Sequence, residues 1–215
     1  MNGRLSKGSF SALLLHLHPP IIPESSAKIG FTWCLGGLAA LMFLIETVTG
    51  VLLLLHYIPT AGGAYTSMQD IIHVIPYGFF LRNIHYWAGQ IMVGLVGLHM
   101  VRVFWTGSFA PPRQFNWVIG LMLLVGTLLI DFTGYLLVWD TRSLWAWTIA
   151  RNLCATVPVI GAATGSLLFG PEQASDSVLI RIYVWHVVLL PAIMAVFASW
   201  HFCRIRKDGG ISEPL

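Results

Sequence analysis

Four apolar runs, each long enough to cross a membrane, leave few folds open to this chain. They lie at about 30–56, 83–105, 115–139 and 178–203, and a hydrocarbon core of ~30 Å takes about 20 helical residues. Lipid offers the backbone no hydrogen bonds, so each run must satisfy its own polar groups, as an α-helix does. Of the 215 residues only 10% are charged and 56% are hydrophobic, whereas soluble domains carry about 25% charge. The expected fold is an all-α membrane protein with four transmembrane helices, spans A to D in chain order. Residues 1–29 form a segment ahead of the bundle, and 30–215 form the bundle itself. The long connection between C and D contains Pro158, Gly161, Gly165, Gly170 and Pro171, yet it is not polar: Leu144, Trp145, Trp147, Ile149, Leu167, Leu168 and Phe169 lie in it. It reads as two short amphipathic helices at the membrane surface.

The basic residues sit singly at the ends of the apolar runs, where membrane proteins anchor themselves. A net charge of +3 distributed in this way is no nucleic-acid footprint. Eight of the twelve Lys and Arg residues fall on one side of the bundle: Arg4, Lys7, Lys28, Arg102, Arg113, Arg204, Arg206 and Lys207. Arg82, Arg142, Arg151 and Arg181 fall on the other. The positive-inside bias therefore puts both termini on the cytoplasmic, or negative, side of a multi-pass protein. Three scattered cysteines, Cys34, Cys154 and Cys203, make no disulfide framework and no Cys-x-x-Cys-His motif.

The histidines carry the chemistry. His85 and His99 lie 14 residues apart in span B, and His186 and His201 lie 15 apart in span D. At about 100° per residue, 14 steps leave a rotation of roughly −40° and 15 leave roughly +60°, so each pair shares a broad helix face. The rise within a pair is about 21 to 23 Å. Spans alternate in direction, so B and D run parallel. His85 then shares a depth with His186, and His99 with His201. Ionisable residues inside a membrane are functional by default, and facing imidazoles at two depths are what two bis-histidine haems require. Histidines hydrogen-bonding between helices are the plainer reading. Against it, span A has Gly36 and Gly50 and span C has Gly120 and Gly134, each pair 14 apart. Residues without side chains let a flat macrocycle approach the backbone. Two axial histidines favour electron transfer over oxygen chemistry. Arg82, Arg102, Arg113 and Arg206 stand near the span ends as partners for haem propionates.

A set of local motifs goes further. They are Trp33-Cys34-Leu35-Gly36-Gly37, Thr49-Gly50, Arg82-Asn83-Ile84-His85, Leu98-His99-Met100-Val101-Arg102-Val103 and Trp117-Val118-Ile119-Gly120. Thr133-Gly134-Tyr135, Trp139-Asp140, Pro158-Val159-Ile160-Gly161 and Ile205-Arg206-Lys207 complete the set. Together they resemble the cytochrome b family of the quinol-oxidising Rieske/cytochrome b complexes, above all its short, split branch, the cytochromes b6 of cytochrome b6f complexes. The resemblance covers roughly residues 28–215, and the 15-residue step in span D is of the b6 type.

The resemblance implies a subunit of a quinol:electron-acceptor oxidoreductase that couples quinol oxidation and quinone reduction to proton translocation. The implied cofactors are two haem b groups, at His85/His186 and His99/His201, and quinone. Cys34 resembles the b6 cysteine that attaches a third haem by a thioether. The implied partners are a Rieske iron–sulfur protein, a subunit-IV-like chain carrying the Pro-Glu-Trp-Tyr segment absent here, and a cytochrome c or equivalent acceptor. A homodimeric complex in a bacterial cytoplasmic membrane, or a thylakoid, is implied as well. Three residues depart from the pattern: Val138 stands for a proline, Glu46 for a glutamine, and Asp131 puts a carboxylate within span C. Two other readings compete. One is a dihaem, quinone-reactive anchor of a hydrogenase or formate dehydrogenase. The other is a non-redox transporter or assembly subunit, which a visible spectrum without a b-type band would favour.

Overall fold

A computed structural model describes residues 33–208. The segment expected at 1–29, with Arg4, Lys7, His16, His18 and Lys28, lies outside the described residues. Each apolar run becomes a helix: α1 (Leu35–Leu54), α3 (Gly78–Trp105), α4 (Gln114–Leu136), and a composite last span. That span consists of α7 (Asp176–Val184), a π-helical turn (Trp185–Leu189) and α8 (Leu190–Lys207). Three shorter helices fill the connections: α2 (Ala64–His73), α5 (Thr141–Ala155) and α6 (Gly161–Phe169). No strand occurs among the described residues. The four long helices are apolar enough to span, and the protein is an integral membrane protein.

Local chemistry accounts for the helix ends. Trp33 and Cys34 lie in the left-handed region, with φ of 49° and 51°, and α1 starts only after them. That conformation is uncommon for residues with a Cβ. Tyr77, at φ 61°, plays the same part ahead of α3, so α3 begins before the expected position 83 and takes Phe79, Phe80 and Leu81 with it. Trp139, at φ 55°, ends the third span, and Asp140 then caps α5 by accepting a 2.8 Å bond from the Ser143 amide. α8 runs past 203 because Arg204, Arg206 and Lys207 fill its last turn, where cations meet the negative end of the helix dipole.

The spans pack as two antiparallel pairs, α1 with α3 and α4 with α8. Their outer faces leave Leu41, Leu44, Val48, Val101, Leu128 and Val196 exposed, as suits helices solvated by lipid. The dense core sits at one end instead. There Leu136, Leu137, Trp139, Trp147, Phe169, Val178, Leu179 and Ile182 are buried together. The expected two helices between C and D are present as α5 and α6. Trp147 ties them by donating a 3.0 Å bond from its indole N–H to the Phe169 carbonyl. Tyr57 closes the same end. Its hydroxyl donates to the Leu137 carbonyl at 2.7 Å and its ring stacks on Tyr183 at 5.8 Å. Burial, with Tyr183 alongside, holds that phenol far above its usual range, so it stays a donor. Asp176, at the start of α7, accepts the Ala61 amide at 2.6 Å and fixes the first connection to the last span.

Candidate haem site

The site is built from four helices that each contribute at two depths. His85 and His99 lie on α3, His186 in the π turn and His201 on α8. His85 and His186 face each other with ring centroids 6.3 Å apart and planes at 79°. His99 and His201 lie 14 and 15 residues further along the same two spans. The four histidines thus form two tiers.

Each histidine stands against a glycine of the neighbouring helix. A Cβ on Gly50 would lie 3.2 Å from His85 Cε1, and one on Gly36 would lie 3.4 Å from His99 Cε1. A Cβ on Gly134 would lie 2.6 Å from His186 Cε1, and one on Gly120 would lie 3.5 Å from His201 Cε1. The glycine spacing therefore has a more specific cause than a flat ligand's approach: each glycine makes room for an imidazole edge. Fourteen residues down α1 match fourteen up α3. On the other side, fourteen down α4 face fifteen up the last span.

The π turn takes up the odd residue. It closes with the Leu190 amide donating to the Trp185 carbonyl, an i→i+5 bond that holds one residue more than an α turn. Its cause is Pro191, which has no N–H for the Val187 carbonyl and whose ring crowds that carbonyl in a regular helix. Fifteen residues then span about what fourteen do, and His186 and His201 return to a common face.

The imidazole Nδ1 atoms are held from behind. Thr49 Oγ1 lies 2.9 Å from His85 Nδ1, and Thr133 Oγ1 lies 3.2 Å from His186 Nδ1. Both hydroxyls donate to their own helix, to the Ile45 and Leu129 carbonyls, so their lone pairs face the rings. His186 Nδ1 also meets the Ile130 carbonyl at 3.0 Å. His85 Nδ1 meets a carboxylate, Glu46 Oε2, at 2.9 Å. The threonines of the two Thr-Gly motifs and Glu46 support the His85/His186 tier, the upper one, with His99/His201 the lower. Nothing in their spacing announced this, because the contact depends on how the helices are rotated. Asp131, the other intramembrane carboxylate, accepts from Gln90 Nε2 at 2.9 Å.

The arginines distribute unevenly. Arg82 lies over the Tyr86 ring, 5.4 Å from its centroid. Arg102 is in the last turn of α3 and Arg113 precedes α4. Arg113 Nε and the Trp117 indole N–H are buried with no acceptor among the described residues. Arg206 is half-buried in the last turn of α8. Its neighbour Arg204 makes the contacts there, at 2.8 Å to Asp208 and over the Phe115 ring at 5.2 Å. Cys34 is exposed at the start of α1, two residues ahead of Gly36 and so beside the His99 tier.

Four membrane-length helices around facing imidazoles define a helical integral membrane protein. Residues 22–209 match the family model described as Cytochrome b/b6/petB. A cytochrome b6 of Heliomicrobium gestii is 41% identical over 193 residues, 90% of each chain. One of Synechococcus elongatus is 39% identical over 187 residues, 87% of this chain and 86% of that one. A solved structure titled "Hyperthermophilic respiratory Complex III" superposes with a TM-score of 0.77 at 26% identity. The match covers 85% of this chain and 49% of that chain, so this chain spans about half its length. The chain belongs to the cytochrome b/b6 family, and haem b binding follows from that membership. The comparisons lend nothing to the transporter or hydrogenase-anchor readings.

Proposed function

We propose that this chain is the electron-transfer core subunit of a quinol-oxidising Rieske/cytochrome b complex of the b6f type. The carrying observation is the pair of histidine tiers, each imidazole seated against a glycine. His85 and His186 would hold one haem b, and His99 and His201 a second. The fit is direct: rings 6.3 Å apart at their centroids leave room for one metal bonded to both at ~2 Å. When bound, the haems would supply one-electron transfer chemistry.

The chain's own residues do the rest. The buried N–H groups of Arg113 and Trp117 suit a carboxylate beside the His99 tier, with Arg102 and Arg206 at the same end and Arg82 near the other tier. Gly36, Gly50, Gly120 and Gly134 admit the imidazoles. Cys34 stands where a third haem would be attached by a thioether. The dense end formed by α5, α6 and Tyr57 excludes water and borders the quinol pocket. A subunit-IV-like chain completes that pocket, and a Rieske protein passes electrons to a cytochrome c or equivalent acceptor. The complex is a homodimer, with both termini of this chain on the negative side.

A dithionite-reduced spectrum of the purified complex is expected to show b-type bands with two haems per chain, and a Rieske protein is expected to copurify. A spectrum without those bands overturns the reading. Haem staining that persists through a denaturing gel is expected to vanish in Cys34→Ala while the b-type bands remain. Staining indifferent to that change would end the third-haem assignment.

A further inference from the structure

We infer that Glu46 is a positioning residue that makes His85 the stronger electron donor of the two upper-tier histidines, so that the haem held there has a lowered reduction potential. The inference rests on the proposal that His85 and His186 are axial ligands. A metal-bound imidazole keeps one N–H at its outer nitrogen, and the acceptor of that N–H sets ring orientation and basicity. The two upper histidines differ sharply in this respect. His186 Nδ1 faces neutral acceptors, the Ile130 carbonyl at 3.0 Å and Thr133 Oγ1 at 3.2 Å. His85 Nδ1 faces the Glu46 carboxylate at 2.9 Å as well as Thr49 Oγ1 at 2.9 Å. Among the described residues, neither His186 nor either lower-tier histidine forms an ion pair with a carboxylate.

The placement of Glu46 strengthens the effect. Its side chain is 15% exposed, and its second oxygen, Oε1, is buried with no partner among the described residues. That oxygen faces Gly89, one turn beyond His85, with Asp131 Oδ1 also within 4 Å of the Cβ position there. A buried carboxylate is costly unless charge or hydrogen bonds offset it. Among the described residues, the His85 ring N–H is the one donor the Glu46 carboxylate reaches. A ring bound to ferric iron carries more positive charge at that N–H than one bound to ferrous iron. The carboxylate therefore stabilises the oxidised state more than the reduced one, and by linkage the potential falls. A glutamine, usual at this position in the family, would accept the same bond without the charge.

The test is a redox titration of the purified complex carrying Glu46→Gln, with low-spin haem electron paramagnetic resonance as a second readout. The potential of one haem is expected to rise by about 59 mV, a tenfold change in its one-electron equilibrium, with a shift in its resonance. The other haem is expected to stay as it was. Thr49→Val, which removes the neutral acceptor beside His85 Nδ1, is expected to shift the same haem less. No shift, an equal shift in both haems, or a Thr49→Val shift as large as that of Glu46→Gln would overturn the inference. So would outright loss of the haem in Glu46→Gln, because glutamine still reaches Nδ1 and such a loss marks a structural prop. All of these outcomes are read on a complex that binds haem. Failure of the ligand assignment itself would show instead as a full haem complement in a complex lacking His85.

Discussion

His99→Leu is expected to remove one of the two b-type haems and leave the other in place. The two tiers are about 21 Å apart along α3, beyond the range at which substitutions normally couple. Leucine keeps the apolar volume, so α3 still packs on α1. Only the ligand is lost, and its tier is also the one flanked by Cys34 and Arg113. The measurement is haem stoichiometry per chain with a redox titration of the purified complex. One of two titrating components should disappear, while the His85/His186 component should keep its potential within error. Two intact components would refute the ligand assignment.

Gly134→Ala should act nearly as strongly on the opposite tier, although it removes no ligand. The added methyl would sit 2.6 Å from His186 Cε1, closer than carbon atoms tolerate. The ring has little freedom to retreat, because its Nδ1 is held by the Ile130 carbonyl and Thr133 and the π turn fixes its backbone. Overpacking of this kind costs about 1–3 kcal/mol, and here the strain falls on the ligand itself. Loss of most of the upper-tier haem is expected, with the lower tier retained. The same change at Gly120, where the methyl would meet His201 Cε1 at 3.5 Å, should be nearly silent. Equal effects at the two glycines would mean that the fit of imidazole against backbone does not govern the site.

The ease of reading the sequence varied with the range of the physics involved. Apolar length is a local property set by bilayer thickness, so the four spans and the pairing of histidine tiers could be taken from counting alone. The glycine periodicity was visible too, but its cause was not. Only the rotation of α1 against α3 and of α4 against α8 shows that Cε1 edges occupy those gaps. Glu46 was legible as a carboxylate in the wrong place, and its partner was not, because the His85 contact joins residues on different helices. The early start of α3 was hidden because Tyr77 adopts a left-handed conformation that no propensity favours. Among the arginines, Arg206 and Arg204 are equally basic and only two residues apart, so charge alone could not say which one makes the contacts.

The π turn at Trp185–Leu189 carries a lesson about insertions. A residue added to a regular transmembrane helix rotates everything beyond it by about 100° and would swing a ligand toward lipid. Here an extra residue is confined to one turn, next to a proline that has already broken the hydrogen-bond ladder. Chain length between the two ligands is thereby uncoupled from their separation in space. Relatives with one residue fewer in this span can present the same two imidazoles, and any gap aligning them belongs at this turn rather than where residue identity is weakest.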